Sequence, residues 1–206
     1  MIINMKNRLA ILAFLVLLFL ATAFLIVNNN AQIIGLDNTV KTIIENNQSP
    51  AIYSLMLSVT KIGDVFQSLI IIIIFGLFLI SKNRRYFNIF VLATPLGILL
   101  TYLIKNLVQR ARPYNLLEQG FGFPSSHATV ATIFLLSSIF LIAPQIKSKF
   151  SARSFLIITS IIFPLVAFSR IYLSVHFTSD VIAGIVLGSA CFLLAMICCH
   201  KKENVL

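Results

Sequence analysis

Charged residues are scarce in this sequence: they make up only 11% of its 206 positions, and six of them are acidic. Hydrophobic residues make up 59%, and the mean hydropathy is +0.98. A soluble domain carries about 25% charged residues, which cover a surface that water must wet. The lack of charge therefore excludes an ordinary soluble domain and indicates a protein whose solvent is the lipid bilayer.

Cysteine is rarer still, and its three positions, Cys191, Cys198 and Cys199, fall in the last apolar run or at its end. Cysteines placed in this way cannot build a disulfide framework, and their spacing matches no zinc site. We expect small core hydrophobes, with palmitoylation near the helix end as the alternative.

The net charge of +10 does not indicate nucleic acid as a partner. A nucleic-acid binder clusters its Lys and Arg on one exposed face. Here the basic residues stand in short loops between apolar runs, which is the pattern that sets the orientation of a membrane protein.

Six apolar runs predict an all-α fold of six transmembrane helices in a single domain covering residues 1–206. The predicted spans are residues 9–27, 62–80, 87–105, 127–143, 154–172 and 180–199, each close to the roughly 20 residues that a spanning helix needs. Lys6 and Arg8 before the first run, and its Ala21-Thr22-Ala23 triplet, resemble a secretory signal. Because apolar residues continue to Val27, we expect a retained helix.

The basic residues divide unequally between the two sides of six spans. Ten of the sixteen lie on one side: Lys6, Arg8, Lys82, Arg84, Arg85, Lys147, Lys149, Arg153, Lys201 and Lys202. The other six are Lys41, Lys61, Lys105, Arg110, Arg112 and Arg170. The positive-inside rule makes the first side cytoplasmic, with both termini. Five of the six acids fall on the outer side: Asp37, Glu45, Asp64, Glu118 and Asp180.

Three polar clusters lie at the outer ends of the spans, and the first contains Lys105 and Arg112. They are seven positions apart, so a continuing helix would place them on one face. Pro113 would then break the helix just after them. Two cations on one face suit a phosphate, although snorkelling of interfacial side chains explains this pair equally well by itself.

The second cluster, Pro124, Ser125, Ser126 and His127, opens the fourth span. Pro followed by Ser favours a helix start with Ser125 or Ser126 as the N-cap. The N–H groups of such a helix end bind anions, and His127 could give a proton to a leaving oxygen. The alternative is a plain cap beside an interfacial histidine.

The third cluster contains Arg170, His176 and Asp180. In a helix, His176 and Asp180 would meet as an i,i+4 pair. A carboxylate that accepts one ring N–H fixes the tautomer and makes the other nitrogen more nucleophilic. A structural ion pair is the alternative, but three clusters on one membrane face make a functional site the better interpretation.

These clusters resemble the motifs of the type 2 phosphatidic acid phosphatase family, which shares its site with bacterial acid phosphatases and vanadium haloperoxidases. Residues 105–113 fit K-x6-R-P, and residues 169–180 fit S-R-x5-H-x3-D. The middle motif, P-S-G-H, is matched with Ser126 in place of glycine. The resemblance covers the chain from about Phe66 onward and implies an acid phosphatase/vanadium haloperoxidase-like core.

The resemblance also implies roles for individual residues. His176 would attack phosphorus and form a phosphohistidine, with Asp180 orienting it, while His127 would protonate the leaving oxygen and then activate water. The phosphoryl oxygens would be held by Lys105, Arg112, Arg170, Ser125 and the amide of Ser126. Phosphoryl transfer depends mostly on positioning and charge neutralisation, which three basic side chains can supply. We therefore expect no cofactor and no metal.

The predicted function is hydrolysis of a lipid phosphate or diphosphate, such as undecaprenyl diphosphate or phosphatidylglycerol phosphate, at the outer face of a bacterial cytoplasmic (inner) membrane. The predicted partners are this lipid substrate and the bilayer, with no oligomeric state assigned. A phosphotransferase that passes phosphate to a lipid or sugar is the nearest alternative. An anionic-lipid transporter is a further one, but it would need its charges near the bilayer midplane rather than at span ends.

Overall fold

The computed structural model describes residues 4–113 and 118–200. Within these ranges the chain forms helices and no strand: α1 (Met5–Val27), α2 (Ala31–Asn46), α3 (Pro50–Thr60), α4 (Val65–Lys82), α5 (Arg84–Val108), α6 (Ser126–Ser137), α7 (Lys149–Tyr172) and α8 (Thr178–Cys198). A 3-10 turn, Lys61–Gly63, precedes α4, and α6 continues through a π-helical turn, Ser138–Ile142, and a 3-10 turn, Ala143–Gln145. The predicted all-α class is confirmed.

Six segments of the described chain are long and apolar enough to cross a membrane: α1, α4, α5, Ser126–Gln145, α7 and α8. Large apolar side chains such as Leu17, Leu77 and Phe150 stand 66%, 66% and 81% exposed on their outward faces. Water would penalise this exposed apolar surface, whereas lipid tails accept it. The chain is an integral membrane protein, as predicted.

The centre of the bundle is the contact between α6 and α8, which brings two helix backbones together. A Cβ added to Gly184 would lie 2.6 Å from the Ser125 carbonyl oxygen, and one added to Gly188 would lie 2.5 Å from that of Thr129. Small residues four positions apart are the usual means of close helix packing in membranes. The Ser125 N–H also donates to the Asp180 carbonyl oxygen at 3.0 Å, so the first turns of the two helices are held together.

Aromatic rings fill the bundle around Phe134 of α6. Phe75, Phe90 and Phe163 place their ring centroids 5.9, 6.3 and 5.6 Å from that of Phe134. Such pairs contribute roughly 0.5–1.5 kcal/mol each beyond the burial of their area. These rings fix α4, α5 and α7 around α6 and thereby support the polar end of the bundle.

The segment between α1 and α4 folds into α2, α3 and the 3-10 turn. Helix α2 packs against α7 and α8, and α3 packs against α7. Asp37 of α2 is buried with 1% of its surface exposed, and Met56 of α3 packs beside Tyr172. This segment therefore lies on the end of the bundle where α7 ends and α8 begins.

The opposite end of the bundle carries the basic loops. There, Arg85 at the start of α5 donates to the Cys199 carbonyl oxygen at 2.9 Å, just past the end of α8. Lys201 and Lys202, which the orientation argument counts on this side, lie outside the described residues. Cys191 is buried as predicted, but Cys198 is exposed because it lies on the outer face of the last turn.

In two motifs the chain is not one continuous helix, which is the condition for placing their residues on one helix face. Helix α5 ends at Val108 rather than at Pro113, because Gln109 adopts a left-handed φ of 51° and its N–H caps the Lys105 carbonyl. Lys105 therefore lies in the last helical turn, whereas Arg112 lies in the following loop. Between His176 and Asp180 the chain also turns, with Ser174 at a φ of 52°, before α8 begins.

Candidate active site

All three polar clusters meet at one cavity of about 550 Å³ at the end of the bundle opposite the basic loops. Its polar lining contains Lys105, Arg112, Ser126, His127 and His176 from the predicted set, together with Asp64 and Glu118. Arg170 and Asp180 lie behind this lining, 2% and 0% exposed. The loops after α5 and α7 and the start of α6 thus bring residues from distant parts of the sequence into one site.

His176 is held in one tautomer by its two neighbours. Arg112 Nη1 lies 2.9 Å from His176 Nε2, and because a guanidinium can only donate, Nε2 carries the lone pair. The proton is therefore on Nδ1, which lies 3.5 Å from Asp180 Oδ2. Nδ1 has no hydrogen-bond partner among the described residues, and Asp180 is the carboxylate that faces it. This arrangement leaves Nε2 as the atom with the free lone pair and places a negative charge beside the ring proton.

The electrostatics of the site keep His176 neutral. Burial lowers its pKa most, followed by the positive charges of Arg112 and Lys105, and the pKa lies well below the ordinary value. A neutral imidazole is the form that can attack phosphorus. The lowered pKa therefore favours the neutral ring at neutral pH.

His127 lies in the first turn of α6, across the cavity from His176. Its Nε2 is 3.1 Å from Asp64 Oδ1, at the N-terminus of α4. Ser125 is the N-cap of α6, its Oγ accepting the Ala128 N–H at 3.4 Å, and Ser126 is the first helical residue. The N–H groups of this turn have no partner within the helix and are suited to an anion.

The position of the His127 ring requires a glycine in the turn before α4. A Cβ added to Gly63 would lie 2.3 Å from His127 Cδ2 and 3.0 Å from Val166 Cγ1. Contacts below 3 Å are far inside van der Waals distance, so any side chain at this position would push the ring away. Gly63 thus allows the turn before Asp64 to approach His127 closely.

The three predicted phosphate-binding cations converge at the cavity, and protein groups occupy each of them. Lys105 Nζ donates to the Phe121 carbonyl oxygen at 2.6 Å. The carboxylate of Glu118 joins the other two: Oε2 lies 2.9 Å from Arg112 Nη1, and Oε1 accepts from Arg170 Nη2. Glu118 therefore occupies the position between two guanidinium groups that suits a phosphoryl group.

The positive charges of Arg112 and Arg170 stabilise the ionised form of Glu118. Burial raises the pKa of Glu118, but the charges of Arg170 and Arg112 outweigh burial, and the net pKa lies below its usual range. Arg170 is held further by donating from Nη1 to Thr60 Oγ1 at the end of α3. The site therefore contains its own anion, bound between two guanidinium groups.

Asp180 has an arginine partner that lies outside the predicted set. Arg110 Nη1 donates to Asp180 Oδ1 at 2.6 Å, and Nη2 donates to Asp37 Oδ2 at 2.7 Å. The Arg110 guanidinium also stacks over the Phe177 ring, 4.4 Å from its centroid. This group lies beneath the cavity, on the side of Asp180 that faces away from His176.

The cavity extends from the polar residues into an apolar groove between α4 and α5. Four residues line both the site cavity and a second cavity of about 540 Å³: Leu69, Ile72, Ile98 and Tyr102. The second cavity continues along α5 to Phe90 and Pro95, towards the middle of the predicted span. An apolar chain attached to a phosphate at His176 would find a continuous groove within the bilayer.

A sequence profile of the PAP2 superfamily matches residues 86–204, which contain all three motifs and more than half of the chain. The chain belongs to the PAP2 superfamily. This confirms the predicted family and, at the level of that family, the predicted class of enzyme, a membrane lipid phosphatase.

Two PAP2 relatives are similar to this chain over most of its length. Phosphatidylglycerophosphatase B of Bacillus subtilis is 30% identical over 152 residues, which cover 71% of this chain and 75% of the relative. Undecaprenyl-diphosphatase of Sulfolobus acidocaldarius is 30% identical over 186 residues, which cover 85% and 84% of the two chains.

Two crystal structures share the PAP2 fold seen here. The transmembrane PAP2-type phosphatidylglycerolphosphate phosphatase of Bacillus subtilis superposes with a TM-score of 0.79 at 26% identity, covering 95% of this chain and 98% of its own. Aquifex aeolicus LpxE superposes with a TM-score of 0.58 at 22% identity, covering 77% and 93%, and shows likeness of fold alone.

Four charged residues that contact the PAP2 motifs were not assigned to the site by reasoning from the sequence: Asp37, Asp64, Arg110 and Glu118. The available signal was the bias of the acids, since three of these four belong to the five acids predicted on the outer side. Charges are costly near a membrane unless they are paired, so acids concentrated at one end indicate partners there. Among the described residues, no group of three or more His, Cys, Asp or Glu side chains could hold a metal ion.

Proposed function

We propose that this protein hydrolyses a lipid phosphate or diphosphate by transferring the phosphoryl group to His176 and then to water. The observation that carries the proposal is the contact of His176 Nε2 with Arg112 at 2.9 Å, with Asp180 Oδ2 facing Nδ1 at 3.5 Å, beside a cavity that continues into an apolar groove. This combination provides a nucleophile in the correct tautomer, an anion site and a place for an acyl or prenyl chain.

Binding begins with exchange of anions. The substrate phosphoryl group replaces the Glu118 carboxylate between Arg112 and Arg170, and Arg112 then turns from Nε2 to a phosphoryl oxygen. Lys105 and the amides of the first turn of α6 neutralise the remaining equatorial charge. Such preorganised donors act most strongly where charge develops in the transition state.

The chemistry proceeds in two steps. Nε2 of His176 donates its lone pair to phosphorus as the bond from phosphorus to the leaving oxygen breaks, and His127 gives its proton to that oxygen. Asp180 stabilises the positive charge that develops on the His176 ring. In the second step His127 takes a proton from water, whose oxygen attacks phosphorus, and the phosphorus–Nε2 bond breaks to release phosphate.

The substrate class proposed is that of the relatives, phosphatidylglycerol phosphate or undecaprenyl diphosphate. The distribution of basic residues supports a site on the outer face of a bacterial cytoplasmic membrane, with both termini inside. The residues proposed for phosphoryl transfer supply their own cations, and we propose that no metal ion is needed.

The test is release of inorganic phosphate by the detergent-purified protein in EDTA, from a panel of lipid phosphates and diphosphates. His176→Ala should abolish release, whereas His200→Ala, a histidine at the opposite end beside Arg85, should leave it unchanged. Loss of the lipid phosphate only when an acceptor is added, with the phosphoryl group found on the acceptor and not as inorganic phosphate, would indicate a phosphotransferase. Release that persists in His176→Ala would contradict the proposal.

A further inference from the structure

Arg110 joins two carboxylates that are almost completely buried. Asp180 and Asp37 are 0% and 1% exposed, and Arg110 donates to them at 2.6 and 2.7 Å. Two buried anions close together repel each other strongly unless a cation lies between them. A guanidinium suits this position because its planar fork presents separate N–H groups to two acceptors.

The two oxygens of Asp180 have different partners. Oδ1 accepts from Arg110, while Oδ2 accepts the Phe177 N–H at 3.0 Å and faces His176 Nδ1. A carboxylate can rotate about the bond that joins it to Cβ, and rotation would take Oδ2 away from the ring. The bond from Arg110 to Oδ1 opposes this rotation and therefore keeps Oδ2 directed at His176.

Asp37 fixes Arg110 in turn. Its Oδ1 accepts the Ser179 N–H at 2.9 Å, and its Oδ2 accepts the Ser179 hydroxyl at 2.6 Å as well as Arg110 Nη2. Asp37 thus lies at the N-terminus of α8, where a negative charge is stabilised by free N–H groups. Asp37 belongs to α2, outside residues 86–204 that match the family profile.

We propose that Arg110 is a positioning residue that directs Asp180 at His176, and that Asp37 of α2 holds Arg110 for this task. The proposal rests on the proposed function of His176 as the nucleophile. Arg110 does not line the site cavity, so it acts through Asp180 rather than on the phosphoryl group. Helix α2 then contributes to the orientation of the catalytic residues through Asp37, in addition to packing on the bundle.

The test is a double-mutant cycle on the hydrolysis of phosphatidylglycerol phosphate in mixed micelles. Arg110→Gln should lower kcat by about 10- to 100-fold and change KM by less than about 3-fold, as for residues that orient a catalytic group. Arg110→Lys, which keeps the charge but loses the fork, should recover part of kcat. In an Asp180→Asn background, Arg110→Gln should cost less than about 2-fold further, because its target is gone.

The controls separate positioning from folding. Arg85→Gln removes an arginine of similar bonding at the opposite end and should leave kcat unchanged. Thermal unfolding in detergent checks each variant. If Arg110→Gln does not remain folded, the isosteric Asp37→Asn carries the same cycle, with an expected loss in kcat of about 3- to 10-fold.

Three outcomes would overturn the inference: an unchanged kcat in Arg110→Gln, an equal loss in both backgrounds, or a loss confined to KM. Each would leave the proposed nucleophile untouched as long as His176→Ala is inactive. Activity that survives in His176→Ala would instead overturn the proposed function itself. The two failures are therefore distinguishable in one set of proteins.

Discussion

Arg112 Nη1 lies 2.9 Å from His176 Nε2, so the same cation that would bind the phosphate now covers the lone pair of the nucleophile. Arg112 also donates to the Val175 carbonyl oxygen at 3.0 Å and pairs with Glu118. Protein groups thus surround the Arg112 guanidinium at the position proposed for a phosphoryl group. Entry of a phosphoryl group requires exchange of these contacts, and this exchange leads to the first prediction.

Glu118→Gln should tighten inhibition by inorganic phosphate. The neutral amide competes less well than a carboxylate for Arg112 and Arg170, and one charged hydrogen bond is worth about 1.5–3 kcal/mol. Because the amide retains part of the bonding, we expect the inhibition constant for phosphate to fall by about 3- to 10-fold. It is measured from the product inhibition of lipid phosphate hydrolysis.

Glu45→Gln is the matched control, since Glu45 lies at the same end of the bundle and contacts Ser174 and Lys41 rather than Arg112 or Arg170. An inhibition constant that is equal in Glu118→Gln and in the wild type would show that Glu118 does not compete with phosphate.

The pH dependence should reflect the lowered pKa of His176. The protonated His176 ring cannot attack phosphorus, so phosphorylation is lost as the pH falls through the pKa that His176 has in the folded protein. Because burial and Arg112 lower this pKa, the loss should occur below the ordinary value of about 6.5. The measurement is the burst rate with an activated aryl phosphate, whose leaving group needs no proton from His127.

The free energy of unfolding should also depend on the protonation of His176. The unfolded chain binds the His176 proton near pH 6.5 and the folded chain does not. The contribution of His176 to the free energy of unfolding therefore decreases as the pH falls below about 6.5, and it is constant above that value. The measurement that decides between a lowered and an ordinary pKa of His176 is the burst rate. A burst rate that is already halved at pH 6.5 or above would contradict the lowered pKa.

Gly63→Ala should impair catalysis through His127. The new methyl group would meet the His127 ring at 2.3 Å and displace it from Asp64. Loss of a general acid costs about 10²- to 10⁴-fold, and partial displacement should cost roughly 10- to 100-fold for a lipid alkoxide leaving group. Rates for lipid and activated aryl phosphates are compared, and the aryl phosphate should lose far less.

Gly35→Ala in α2 is the control for Gly63→Ala, because nothing lies within 4 Å of its added Cβ. If Gly63→Ala lowers the rates for the lipid and the aryl phosphate equally, the substitution acts through the fold and not through protonation of the leaving group.

Ile72→Trp should block the groove between α4 and α5. The larger ring would fill space that both cavities share, while the polar residues remain in place. We expect kcat/KM for a long-chain lipid phosphate to fall by about 10-fold or more, since overpacking a groove costs roughly 1–3 kcal/mol. A short soluble phosphate should be hydrolysed as in the wild type.

Leu77→Trp provides the comparison for the groove, because Leu77 is on the same helix with 66% of its surface exposed and lines neither cavity. If both tryptophan variants lose lipid hydrolysis equally, the groove is not the path of the lipid chain.

Much of the fold could be predicted because hydropathy is a property of each segment by itself. The helices α1, α4 and α8 are read from their own apolar residues, and the order and spacing of the motifs identify His127, His176 and Asp180. Ser126 departs from the family motif, yet it begins α6 and lines the cavity. The local sequence therefore carries most of the site.

The remainder depends on contacts between distant residues. Arg110 is 73 positions from Asp37 and 70 from Asp180, and no local pattern reveals such pairing. The same contacts explain why residues 105–113 are not a continuous helix. Gln109 turns the chain so that Arg110 points into the bundle, and a continuous helix would not provide that turn.

The most direct test of the central claim is to find the residue that carries the phosphoryl group. The protein would be mixed with a phosphorus-labelled lipid phosphate, quenched at alkaline pH, where phosphohistidine survives, and analysed by peptide mapping. The account predicts an acid-labile label on His176, absent in His176→Ala and retained in His200→Ala. A label on another residue, or phosphate release that continues in His176→Ala, would contradict it.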